Sequence, residues 1–365
     1  MTLADQKTET ILELLAREKN VLLAGAPATG KTTLLTAVAK RFEDGTGTTV
    51  SLSGDNPFPN AANGAGLSFP AADCEHRKVF RTTFHQGTKY RDFVRGLAPK
   101  PNADGVCFEV TRGILWQAAE YAKESGHASL LIIDEINRGP AVSVFGDLIS
   151  AFEADKRLGP DNRVTDSTVT VQILNDDADL VDYQLPDRLF ILAAMNQADS
   201  SVEPMDTAFL RRWHKVKLLP SLDELYEYFD IDKVPRELPD KPESSADAYS
   251  AAVAALARIN EKISLGRGED YQIGHGALMK VKKSELPKQL DGTQKYLASC
   301  WPVIAAHVEE VFFGDIDAIA EVLNASNGGF FRVDSHTFAG REVKAIDYID
   351  VTAENVYEML RDVAK

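Results

Sequence analysis

Asn20-Val21-Leu22-Leu23-Ala24-Gly25-Ala26-Pro27-Ala28-Thr29-Gly30-Lys31-Thr32 decides the fold. Its opening apolar run, with no polar alternation, suits a strand covered on both faces. The run passes into a glycine-rich turn that satisfies G-x-x-x-x-G-K-[ST], and residues 31–42 (KTTLLTAVAKRF) then read as a helix. Strand, glycine loop and helix make the βα unit of a parallel α/β domain. The glycines let backbone N–H groups close on a phosphate, Lys31 would reach the β- and γ-phosphates, and the Thr32 hydroxyl suits Mg2+. The helix that follows adds the positive end of its dipole. Gly25, Pro27, Ala28, Thr29, Gly30, Lys31, Thr32 and Thr33 are therefore the candidate nucleotide-binding residues. A chance glycine turn is the alternative, and the flanking strand and helix argue against it.

Working outward, Leu130-Leu131-Ile132-Ile133-Asp134-Glu135 supplies a matching second half. Asp134 at the end of the strand would hold Mg2+ through water beside Thr32, and Glu135 would act as general base on a water attacking the γ-phosphate. Residues 189–195 (LFILAAM) form a further buried strand ending at Asn196. If the two strands are neighbours, Asn196 lies next to Glu135 and can orient that water; alone, an Asn at a strand end is a turn residue. Arg211 and Arg212 close a helix-like segment. They are either a surface pair favoured by the helix dipole or an arginine finger reaching a neighbouring subunit's site.

The 365 residues carry a formal charge of −15 with 44% apolar and 26% charged residues, the composition of a folded protein. Such acidity argues against a broad nucleic-acid grip, though not against a narrow basic pore. Cys74, Cys107 and Cys300 are too scattered for a disulfide framework or a cysteine zinc site and suit a reducing compartment. No signal peptide or membrane-length apolar run is visible, so the expected location is cytoplasmic, away from membranes.

The length suggests two units. An α/β nucleotide-binding domain over residues 1–220, with a Gly/Pro/Asn-rich insertion at about 51–77, would precede a mainly helical lid over 221–365. Expected helices include 90–97, 142–153, 276–283 and 297–313, with Trp301, Ile304, Val308, Val311 and Phe312 as lid core. His275 opens one of these helices as either a phosphate sensor or a capping residue. Asp92 and Arg95 form either a pore loop or a solvated helix face.

The order of loop, Asp-Glu, Asn and Arg-Arg resembles AAA+ ATPases. More closely, it is similar to the McrB family, the motor subunits of methylcytosine-specific restriction systems. The likeness rests on residues 83–97 (TFHQGTKYRDFVRGL), 132–139 (IIDEINRG), 145–148 (FGDL), 152–157 (FEADKR), 195–199 (MNQAD), 273–276 (IGHG) and 301–313 (WPVIAAHVEEVFF). It implies a homo-oligomeric ring, a hexamer being one size it allows, that hydrolyses ATP or GTP with Mg2+. Lys31, Thr32, Asp134, Glu135 and Asn196 would serve the nucleotide, with Arg211 and Arg212 acting across the subunit interface. It also implies a separate McrC-like nuclease subunit, with DNA reached through partners or the pore.

Three departures stand out. The sequence opens on the motor pattern, so the N-terminal DNA-reading domain of the best-known members is not expected here, and Ser200 follows Asp199 where those members carry an arginine. Those members also prefer GTP, whereas no base-reading signature is evident here. The alternative is a MoxR-like AAA+ ATPase that remodels a protein client.

Overall fold

The computed structural model describes residues 2–45, 69–102, 105–198, 205–235, 237–325 and 329–365. Positions 51–68 of the expected insertion, and Asp199 and Ser200, lie outside the described residues. The chain packs as two compact units, Met1–Ala24 with Lys31–Lys217, and Gly25–Gly30 with Leu218–Lys365.

In the first unit α1 (Leu3–Glu18) begins with a capping box between Thr2 and Asp5 and buries Ile11, Leu12 and Leu15. It leads into β1 (Asn20–Gly25), buried along its whole length, and the glycine loop feeds α2 (Lys31–Asp44). Next come β2 (His76–Thr83), α3 (Tyr90–Phe93), a hairpin of β3 (Arg95–Asn102) and β4 (Gly105–Arg112), α4 (Ile114–Lys123) and β5 (His127–Asp134). The unit continues with α5 (Ala141–Phe145), a hairpin of β6 (Val171–Leu174) and β7 (Leu180–Tyr183), β8 (Leu189–Asn196), α6 (Thr207–Leu210) and β9 (His214–Leu218). The main sheet has five strands in the order β2-β5-β8-β1-β9. β5 runs parallel to β2, with Thr83 opposite Asp134, and parallel to β8, with Ile133 opposite Ala193. Among the described residues β2 is an edge, and its Val79 N–H donates to Glu43 Oε1 at 3.3 Å.

Arg157 is sealed under this sheet at 1% exposure. Its guanidinium donates to the carbonyls of Phe152 and Leu189 and to Asn20 Oδ1, while Asn20 Nδ2 donates to Phe152 O at 2.8 Å. Burial pulls the Arg157 group down to about 10 against the opposing charge of Asp187, and it stays protonated at neutral pH. One side chain thus links the starts of two neighbouring strands, β1 and β8, to the segment after α5.

The second unit is built on α7 (Leu222–Phe229), α8 (Ser245–Arg267), α9 (Leu290–Val311), α10 (Ile316–Val322) and α11 (Val356–Val363). Its core joins Leu256, Ile259 and Ile263 of α8 to Trp301, Ile304 and Val308 of α9 and to Met359, Leu360 and Val363 of α11. Phe312 is buried with them and Val311 is partly buried. Between α10 and α11 lies a hairpin of β10 (Arg332–Phe338) and β11 (Arg341–Asp347).

Several expected helices take other forms. The helix expected over 142–153 becomes five α-helical residues and a 3₁₀ stretch, Gly146–Ala151, because Gly146 adopts φ +54 against the Tyr90 ring. The helix expected over 90–97 stops at Phe93, and that over 276–283 resolves into 3₁₀ turns at His275–Leu278 and Lys283–Glu285. α9 starts seven residues earlier than its expected position 297, at Leu290, and runs through Pro302. Arg95 belongs to neither a pore loop nor a solvated face. It is 4% exposed, ion-paired with Asp176 and set over the Trp116 ring at 4.4 Å.

Asn20→Ala would leave the buried Arg157 guanidinium one acceptor short, at a cost of about 2–3 kcal/mol for a hydrogen bond to a charged group. Urea unfolding of a Trp301→Phe background, followed by Trp116 and Trp213 fluorescence, measures this. A loss under about 0.5 kcal/mol, the size of an ordinary surface change, would deny Arg157 its linking role.

Candidate functional site

β1 ends at Gly25, and the loop that follows holds itself partly by side chain, since Thr29 Oγ1 donates to Ala26 O at 2.9 Å. Ala28 sits in the left-handed region at φ +61, uncommon for a residue with a Cβ. The loop packs with the second unit, where Gly274 N–H donates to Pro27 O at 3.1 Å and Gly276 N–H to Ala28 O at 2.9 Å.

In the first unit Lys31 opens α2 and is 8% exposed. Burial pulls its ammonium down to about 8, opposed by the nearby charges of Glu135 and Asp134. Thr32 and Thr33 lie exposed on the first turn of α2. A threonine hydroxyl and the Asp134 carboxylate are hard oxygen donors of the kind Mg2+ takes. Among the described residues no cluster of three or more His, Cys, Asp or Glu forms a protein-only metal site.

At the carboxyl end of β5, Asp134 Oδ1 accepts the Glu135 N–H at 3.0 Å, and Glu135 itself takes φ +51, ψ +44. A non-glycine residue held there costs on the order of 1–3 kcal/mol and persists only where its surroundings fix it. Because β8 pairs with β5, Asn196 arrives beside Glu135 and its Nδ2 donates to Glu135 Oε1 at 2.8 Å. Asn137 Nδ2 in turn donates to Asn196 O at 2.8 Å, and Arg138 Nε pairs with Glu135 Oε2 at 3.3 Å. Asn196 Oδ1 and Asn137 Oδ1 are buried without a hydrogen-bond partner among the described residues. These are acceptors available to a bound water.

Sequence reasoning brought Asp134, Glu135 and Asn196 together but assigned nothing to Asn137 and Arg138. The signal was the three-residue spacing of Glu135 and Arg138, which one 3₁₀ turn, Ile136–Arg138, places side by side.

The two arginines after α6 differ. Arg212 donates to Ala208 O in its own chain and pairs with Glu153 at 3.4 Å, whereas Arg211 is exposed. In the second unit His275 is buried in its 3₁₀ turn. Its Nδ1 accepts the Ser221 N–H at 3.2 Å and its Nε2 meets Glu224 Oε2 at 2.8 Å, the geometry of an anchoring residue. No helix among the described residues is long and apolar enough to cross a membrane.

An AAA domain of the dynein-related subfamily matches residues 70–213, a span that contains Asp134, Glu135, Asn196, Arg211 and Arg212. Over 274 residues, 73% of this chain and 49% of the relative, it is 28% identical to the EcoKMcrB subunit of a type IV methyl-directed restriction enzyme of Escherichia coli K12. Over 227 residues, 59% of this chain and 58% of the relative, it is 29% identical to YdiS, a component of the type II restriction enzyme BsuMI of Bacillus subtilis 168. The chain thus spans about half the length of the curated relatives it matches. A crystal structure of NtrX from Brucella abortus has 14% identity and a TM-score of 0.32, covering 88% of this chain and 64% of that one. The chain is thus similar to an AAA domain over residues 70–213 and resembles McrB-type restriction subunits in sequence.

The buried ammonium predicts a pH signature. An unfolded lysine keeps its proton to about 10.4, while folded Lys31 releases it near about 8. Between those values the unfolded state binds more protons, so stability of the nucleotide-free chain rises with pH there and gains no slope from Lys31 below. Lys31→Met should therefore unfold at a higher temperature than the parent near neutral pH, with the gap closing toward pH of about 10. A gap independent of pH would remove the buried-cation account.

Proposed function

We propose that the chain is the NTP-hydrolysing motor subunit of a McrB-like DNA restriction or defence complex. In this reading a nucleotide-binding domain through about residue 220 and a helical lid from 221 assemble into a homo-oligomeric ring. The observation that carries hydrolysis is the Glu135 carboxylate fixed by Asn196 Nδ2 at 2.8 Å at the end of a central strand. The restriction role rests on the likeness to the two restriction-system relatives.

Each residue then has a task. The N–H groups of the loop Gly25–Gly30 and the Lys31 ammonium bind the phosphates of ATP or GTP. A cation held at low dielectric attracts them strongly, and the bound phosphates restore the charge preference that burial takes from Lys31. Thr32 and Asp134 hold Mg2+, which when bound neutralises phosphate charge. Glu135 takes the proton of the attacking water. Asn196 keeps Glu135 in one rotamer by donating to Oε1 and leaves its own Oδ1 to receive a water O–H. Asn137 fixes the backbone behind Asn196, and Arg138 holds the far oxygen of Glu135. Arg211, exposed, reaches a neighbouring subunit's phosphates, while Arg212 braces α6 against Glu153. The nuclease belongs to a separate subunit, and DNA is reached through partners or the pore of the ring.

Glu135→Gln should bind nucleotide while turnover falls roughly 10²- to 10⁴-fold, the scale of a lost general base. Affinity purification of that stalled form from its native cells, with nucleotide present, should recover a nuclease-bearing subunit. Recovery of a protein client without a nuclease would replace the restriction motor with a remodelling ATPase.

Arg211→Ala subunits and Glu135→Gln subunits should each be inactive alone and recover part of the hydrolysis when mixed. Arg212→Ala should lower the unfolding temperature without behaving as the complementing partner. No recovery at any mixing ratio would place Arg211 outside the neighbour's site.

A further inference from the structure

The phosphate loop has an outer face as well as an inner one, and in the second unit that outer face is held by backbone. Gly274 N–H donates to Pro27 O at 3.1 Å and Gly276 N–H to Ala28 O at 2.9 Å. In a planar trans peptide the C=O of one residue and the N–H of the next point in opposite directions. Anchoring the Pro27 carbonyl therefore aims the Ala28 N–H away from Gly274. Anchoring the Ala28 carbonyl aims the Thr29 N–H away from Gly276. These are two of the donors that a phosphate would meet.

The anchoring segment is itself fixed on both sides. The buried Asn260 carboxamide of α8 grips the preceding residue, accepting the Ile273 N–H at 2.6 Å and donating to Ile273 O at 2.9 Å. His275, 3% exposed, ties the segment to the start of α7 through the Ser221 N–H and the Glu224 carboxylate. Glycine is required here for space and not for its conformation, since Gly274 has φ −64 and ψ 150. A Cβ on Gly274 would overlap the Ala28 carbonyl group, and one on Gly276 would lie 2.9 Å from Ala28 O. Ala28, in its left-handed conformation, is the loop residue that most needs outside support.

We propose that Gly274 and Gly276 are positioning residues for nucleotide binding: their N–H groups set the direction of the Ala28 and Thr29 amides, and Asn260 and His275 hold them in place. The proposal rests on the reading of Gly25–Gly30 as a phosphate-binding loop. It makes nucleotide affinity depend on a four-residue turn some 250 positions away in sequence from the loop it orients.

The test uses the full chain with Mg2+ and the fluorescent probes mant-ATP and mant-GTP, alongside thermal unfolding of each variant. Gly274→Ala should weaken the better-bound probe at least about tenfold, the loss expected when one charge-assisted hydrogen bond is misaimed. Gly276→Ala should weaken it less, following the milder crowding, and Gly292→Ala at the start of α9 should leave it unchanged. A merely structural role would instead make affinity track the unfolding temperature across all three variants, and that result overturns the proposal. So does a folded Gly274→Ala with unaltered affinity while Lys31→Ala loses binding, an outcome that leaves the loop reading intact. Unaltered affinity in Lys31→Ala would remove the loop reading and the proposal together. If Gly274→Ala does not fold, Gly276→Ala decides by the same criteria.

Discussion

A charged guanidinium inside a protein is tolerable only when its donors are answered, and the first unit is arranged around that demand at Arg157. Its acceptors are the carbonyl of Leu189 where β8 begins, the amide oxygen of Asn20 where β1 begins, and the carbonyl of Phe152. Pulling either strand out of step would strand part of the charge in an apolar interior. The amino ends of β1 and β8 are fixed in this way, and the carboxyl end of β8 brings Asn196 beside Glu135, which follows β5. The candidate site at one end of the sheet thus inherits its alignment from a polar knot at the other.

At the candidate site the cost is conformational. Glu135 is turned into the left-handed region immediately after a buried strand, which swings its carboxylate toward Asn196 and Arg138 and away from the continuing strand direction. Asp134 helps by accepting the Glu135 N–H. One carboxylate oxygen is thereby fixed by a hydrogen bond and the other lies within ion-pair distance of a guanidinium, so the group is set in one orientation before any ligand arrives.

How much of this was legible in the sequence follows from how local each feature is. The strand–loop–helix at Asn20–Thr32 and the acids at Asp134 and Glu135 are contiguous patterns, readable wherever they occur. Asn196 needed the additional fact that β8 lies beside β5, which no local pattern supplies. Arg157 is a charged residue in a polar stretch, and only the folded chain shows it buried. The hairpin Arg95–Asn102 with Gly105–Arg112 was hidden by Pro99 and Pro101. Prolines normally speak against a strand, yet a two-stranded ribbon is all edge and accepts them. The hairpin of β10 and β11 lacks a buried face and so lacks the alternation that marks a strand. The turn at Ile273–Gly276 was noticed as a motif, but its function as a backbone anchor depends on hydrogen bonds that spacing cannot reveal.

The edge strand β2 has a consequence for assembly. Its Val79 N–H, which would otherwise face outward ready to pair, is already taken by the Glu43 carboxylate, and Arg77, Lys78 and Arg81 line the same strand. An incoming strand would have to displace the carboxylate and approach a strand that carries positive side chains on both faces. Strand addition at this edge is thereby made costly. Any contact made at this edge would be one of side-chain surfaces, which come apart and re-form without a strand having to be unzipped.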